Sequence, residues 1–142
     1  MFYGDSVQDT RQMFYSSWQK YKLKQVLLPL EQQIVEVILT HPEYHAMLEA
    51  IDSSNQAYFP ESGLSNPFLH LGLHLAIREQ IQTDRPEGIA LIYKKLLTKY
   101  TDPLSVEHLM IEHLAECLWQ AQRSHQAPDE RNYLDALGKL LH

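Results

Sequence analysis

Residues 66–83 read NPFLHLGLHLAIREQIQT, and this stretch decides the fold class. Asn66 is a helix-capping residue and Pro67 suits the first helical position, so the pattern predicts a helix over 67–83. At about 100° per residue, His70, His74, Ile77 and Ile81 fall on one stripe, with Glu79 about 180° from His70. Leu69 and Leu73 flank the stripe on one side, Leu71 and Leu75 on the other. The first half of the segment is apolar nearly all round, the mark of a central helix. Its two imidazoles stand one turn apart on a stripe expected to be buried. An unpaired polar group in a dry site costs about 1–3 kcal/mol, so the pair calls for a shared ligand or for hydrogen-bonding neighbours.

Outward from this helix, the same punctuation recurs. Ser6 can cap a first helix to about Lys24, in which Val7, Phe14, Trp18 and Tyr21 share a stripe of core type. Pro29 opens a second helix that ends near Thr40, because the residue before Pro42 is pushed out of the helical region. Thr40-His41-Pro42-Glu43 has the form of a capping box for a short third helix to about Ile51, with His41 at its first position. Residues 52–66 carry turn formers without a period and read as the longest loop. Asp84-Arg85-Pro86-Glu87 is a second capping-box pattern, opening a fifth helix to about Tyr100. Asp102-Pro103 opens a sixth to about Ser124, and Pro128-Asp129 a last one to about Leu140. No alternating strand pattern competes. The expectation is an all-α fold, a compact bundle of six to seven helices in a single domain over residues 1–142.

Composition narrows the functional classes. With 142 residues and a hydrophobic fraction of 44%, the chain can bury one real core. The net charge of −6 argues against a nucleic-acid surface, which needs a basic patch. Lys20, Lys22 and Lys24, and later Lys94, Lys95 and Lys99, read as solvated helix faces. A single cysteine, Cys117, leaves no internal disulfide and points to a reducing compartment. It lies on an apolar helix face and reads as a buried small hydrophobe. The N-terminal residues lack the pattern of a signal peptide, and no apolar run has the length of a membrane span, so a cytoplasmic protein is expected.

The remaining signal is metal-ligand spacing. His41/His45 and His70/His74 are i,i+4 pairs, and His108, Glu112 and Glu116 continue the spacing on the sixth helix. Such pairs lie on one helix face, as helical bundles use to bring two side chains to one metal. His70 and His74 lead the set. His45 is preferred to His41, which the capping box partly explains, and His108 and Glu112 complete a four- or five-ligand set. The His108 stripe, which also carries Trp119 and Arg123, lies roughly 160° from the apolar centre of its helix, so it joins a site only if something packs over Trp119. Imidazole and carboxylate donors suit zinc, iron, nickel or manganese. The residues after His70 and His74 are both leucine, so the general base of an HExxH zinc protease is absent. Catalysis is left open, and no catalytic residue is named.

HPEYH at 41–45, NPFLHLGLHLAIREQI at 66–81, DRPEGI at 84–89 and EHLMIEHLAECLWQAQ at 107–122 resemble a proteobacterial family of small helical proteins classed as a domain of unknown function. That resemblance implies a small cytoplasmic bacterial protein and supplies no activity. A weaker, fold-level likeness is to metal-binding helical bundles of the DinB type, which would make His45, His70 and His74 a triad. Two functional readings stand at this point. One is a metal-binding helical domain. The other is a non-catalytic interaction or oligomerisation module with buried structural histidines, including a possible homo-oligomer, whose partner the sequence does not name.

Overall fold

In the computed structural model, which describes residues 7–50 and 66–142, every regular element is helical among the described residues. The first helix, α1 (Val7–Lys22), turns Phe14, Tyr15 and Trp18 inward, while Tyr21 stacks on Trp18 at 5.2 Å and stays 40% exposed. It ends where Lys24 takes φ 59° and the amide of Gln25 donates to the Lys20 carbonyl at 2.9 Å. That is a Schellman arrangement, which satisfies carbonyls the helix can no longer use. Helix α2 (Pro29–Leu39) begins at its proline as the sequence indicates. The carboxylate of Glu31 reaches back to the Leu28 amide at 2.8 Å, which is half of a capping box, since Leu28 has no acceptor in its side chain.

Past α2 the structure departs from expectation. The Thr40 hydroxyl donates backward to the Val37 carbonyl at 2.7 Å instead of capping forward. The predicted capping box therefore does not form. His41 sits outside any helix at φ −129°, ψ 67°, away from the helical region that the following proline disfavours. A single 3-10 turn over Pro42–Tyr44 follows, and only then α3 (His45–Glu49).

Helix α4 (Pro67–Thr83) matches its expected bounds, and Asn66 caps it by accepting from the amide of Phe68 at 2.9 Å. Helix α5 (Ile89–Tyr100) starts later than the second capping-box pattern suggests. Asp84, at φ 52°, spans the gap: its Oδ1 accepts from the amides of Gly88 at 3.1 Å and Ala90 at 3.0 Å. Asp102 caps α6 (Pro103–Ser124) through the Ser105 amide, and Asp129 caps α7 (Glu130–Lys139) through the Asn132 amide. The expected cap at Ser6 and almost all of the loop expected over 52–66 lie outside the described residues.

The chain divides into two compact units, the division falling inside α4 between Leu75 and Ala76. In the first, α1 packs on α2 and α3, and Phe14, Trp18, Ile34, Val37, Ile38, Phe68, Leu71 and Leu75 belong to one core. In the second, α5, α6 and α7 pack together, with Ile89, Leu96, Val106, Met110, Leu114 and Leu137 buried. Within this second unit Arg78 Nε donates to both carboxylate oxygens of Glu107, at 3.2 and 3.1 Å, and Tyr133 donates to Gln80 at 2.8 Å. No helix among the described residues is long and apolar enough to cross a membrane.

Candidate metal centre

The first unit gathers three imidazoles. His70 and His74 project from the first half of α4, and His41 comes from the break after α2. One ring nitrogen of each lies within 4.8 Å of the others. The ring centroids are 4.6 Å apart for His41 and His74, 4.7 Å for His70 and His74 and 5.0 Å for His41 and His70, with interplanar angles of 66°, 82° and 77°. His74 is fully buried and His41 is 3% exposed, while His70 is half-buried.

The spacing carries chemical information. Nε2 of His74 and Nε2 of His70 are 3.2 Å apart. Two nitrogens bound at 2.0–2.1 Å to one tetrahedral metal ion stand about 3.3 Å apart. Rings radiating from such an ion have centroids about 5 Å apart, close to the separations of these three. Without an ion, the same 3.2 Å contact is a hydrogen bond from one neutral imidazole to the other, each then a different tautomer.

His41 is held from behind. Its Nδ1 lies 2.9 Å from the Val37 carbonyl and 3.0 Å from Thr40 Oγ1. A carbonyl oxygen can only accept, so Nδ1 carries the proton and the lone pair of the neutral ring is on Nε2. Metal-bound histidines show this arrangement, the far nitrogen donating to a carbonyl or carboxylate. The Val37 carbonyl belongs to the last turn of α2, whose partial negative charge favours a cation nearby. Tyr44 lies parallel to the His41 ring at 5.6 Å and edge-on to His70 at 6.4 Å, walling that side. Burial, and then the neighbouring Glu43 carboxylate, push its phenol above the ordinary tyrosine value, so it stays protonated.

His45 is placed differently from the sequence expectation. Its Nε2 donates to the Ile38 carbonyl at 2.9 Å, and its ring packs on Trp18 at 4.6 Å. It ties the start of α3 to the end of α2, whereas His41 meets the α4 pair. The signal that could have found His41 is Pro42, which excludes the preceding residue from the helix and frees its ring to turn back. Thr40 and Tyr44 were not singled out by spacing, because neither is a metal-ligand residue in an i,i+4 pattern.

His108, Glu112 and Glu116 lie on α6, in the second unit, all three with exposed side chains. Glu116 accepts from Gln120 at 2.7 Å. Trp119 is 52% exposed and carries the Arg123 guanidinium 4.9 Å from its ring centroid, so the side chain the sequence expects under cover is a solvated i,i+4 pair. Cys117 is half-buried, not buried. Its Sγ donates to the Asp129 carbonyl at 3.7 Å, and desolvation raises its thiol above the usual value, which keeps it a poor nucleophile.

A family model described as domain of unknown function (DUF1841) matches residues 6–139. The chain belongs to this family. No curated protein and no solved structure matches it.

Proposed function

We propose that this DUF1841 member binds a divalent transition metal in its first unit, through His41, His70 and His74. The observation that carries the reading is the convergence of three ring nitrogens from two separate chain segments within 4.8 Å, two of them at the spacing of ligands on one tetrahedral ion. These donors are all imidazole, which favours zinc, nickel or iron over manganese, a metal of carboxylate-rich sites. The reading is one of binding and assigns no reaction. The single cysteine supports placing the protein in the reducing cytoplasm. His108 and Glu112 remain candidates for further donors on the sequence argument.

The test is elemental analysis of protein purified without a polyhistidine tag, before and after dialysis against zinc. One zinc per chain is expected for the wild type and for His45→Ala, and a large loss for His41→Ala, His70→Ala and His74→Ala. The same dialysis on His108→Ala and Glu112→Ala tests the α6 candidates. Substoichiometric zinc that is indifferent to His70 and His74 would remove the proposal.

One observation favours the interaction reading as well. The connection between α1 and α2 exposes Leu23 by 57%, Val26 by 89% and Leu28 by 62%. Apolar side chains gathered at one turn are what an association surface offers. Light scattering tests it: a monomer at all concentrations, with no change on Val26→Glu, removes it.

A further inference from the structure

We propose that Thr40 is a positioning residue of the metal centre, acting through its hydroxyl on the His41 ring; this rests on the metal-binding reading above. The argument follows the protons. Nδ1 of His41 faces the Val37 carbonyl at 2.9 Å, so Nδ1 is the protonated nitrogen. Thr40 Oγ1 lies 2.7 Å from the same carbonyl and 3.0 Å from the same Nδ1. A hydroxyl has one proton. The carbonyl takes it, because Nδ1 has no lone pair to receive it. The oxygen of Thr40 is then an acceptor for the Nδ1 proton, which is shared between the Val37 carbonyl and the threonine.

This geometry does two things for a metal. It locks the tautomer whose lone pair is on Nε2, and it holds the ring on two acceptors instead of one. Threonine suits the position twice over. Its hydroxyl bonds back to the carbonyl three residues earlier, and its branched side chain has few rotamers, so the oxygen is held where Nδ1 needs it. Partners of this kind behind a metal-bound imidazole are worth about 10–100-fold in metal affinity. Serine keeps the hydroxyl; valine keeps the shape and loses it.

The experiment is zinc affinity by competition with a chromophoric chelator, on wild type, Thr40→Val, Thr40→Ala and Thr40→Ser, with circular dichroism and metal-free melting on each. Thr40→Val and Thr40→Ala should bind zinc about 10–100-fold more weakly, and Thr40→Ser within about threefold of wild type. The metal-free melting points report the loss of the C-terminal cap separately, and a purely structural role would move these without moving affinity. Wild-type affinity in folded Thr40→Val or Thr40→Ala overturns the proposal. Weakening that serine does not rescue overturns it too, since the hydroxyl would not be the agent. A wild-type protein that takes up no zinc removes the metal-binding reading itself, and the role of Thr40 falls with it.

Discussion

Replacing His74 separates a metal centre from a hydrogen-bonded pair of core histidines. His74 is fully buried, with its Nε2 3.2 Å from that of His70. Truncation to alanine removes a core side chain whatever its role, so loss of stability alone decides nothing. The informative quantity is how stability responds to zinc. An ion that binds only the folded chain adds RT ln(1 + [L]/Kd), about 2.7 kcal/mol at a hundredfold excess over Kd. For a chain of this length 1 kcal/mol moves the melting point by about 4 °C, so zinc should raise the wild-type midpoint by roughly 10 °C. That is an upper value, because imidazoles of the unfolded chain also bind some zinc.

The assay is thermal unfolding followed by circular dichroism, with and without zinc, and with magnesium as the control for a hard cation that imidazole does not favour. His74→Ala should melt lower without metal and gain almost nothing from zinc. His70→Ala, at a half-buried position, should lose less stability and the same zinc response. His45→Ala should give the opposite pattern. It forfeits the bond to the Ile38 carbonyl and the packing on Trp18, worth about 1–2 kcal/mol, and keeps the zinc-dependent rise. A full rise retained in His74→Ala, or an equal rise with magnesium, refutes the three-imidazole site.

Two further outcomes test the scaffold of the second unit. Arg78 and Glu107 form a largely buried pair, their side chains 24% and 8% exposed. Glu107→Leu should therefore cost about 3 kcal/mol in urea unfolding by stranding the guanidinium, and Arg78→Met combined with Glu107→Leu should cost less than the sum of the single changes; additivity would show that the two side chains are not coupled. The hydroxyl and amide of Ser105 both donate to Asp102 and hold its carboxyl below the usual aspartate range. A depressed folded value means the contribution is complete above the unfolded pKa and fades as pH falls through the folded one. The stability difference between wild type and Asp102→Asn should shrink between about pH 5 and about pH 2, and a flat difference over that range would contradict the assignment.

Local grammar explains how much of this was legible in the sequence. Pro29, Asn66-Pro67 and Asp102-Pro103 each fix a helix start within a residue, because a cap and a proline act through their own backbone and need no tertiary partner. The burial of His74 followed from the stripe it shares with Ile77, and both are fully buried. What a helical wheel cannot show is the surroundings of each face. Trp119 is on the stripe expected and is exposed all the same, satisfied by Arg123 one turn on. Asp84 was legible as a cap, but its carboxylate serves amides as far on as Ala90, so α5 starts at Ile89.

The choice between His41 and His45 has a physical cause that also accounts for the site. A capping box at 40–43 would have turned the Thr40 hydroxyl forward to the amide three residues on and drawn His41 into the first turn of a helix, its ring pointing along that helix's surface. Two nearer acceptors defeat it. Val37 and Ile38, in the last turn of α2, have carbonyls left without helical donors, and a buried helix end must satisfy them. The Val37 carbonyl receives the Thr40 amide, the Thr40 hydroxyl and His41 Nδ1, while the Ile38 carbonyl receives the His41 amide and His45 Nε2. Both imidazoles of the HPEYH segment are thus recruited to close the end of α2. They differ in which nitrogen is spent. His41 gives up Nδ1 and keeps the Nε2 lone pair, and its ring stands 4.6 Å from that of His74; His45 gives up Nε2 and lays its ring on Trp18. The i,i+4 spacing of His41 and His45 therefore does not bring both rings to the α4 pair. It makes them two donors to successive carbonyls, and only His41 is left facing α4.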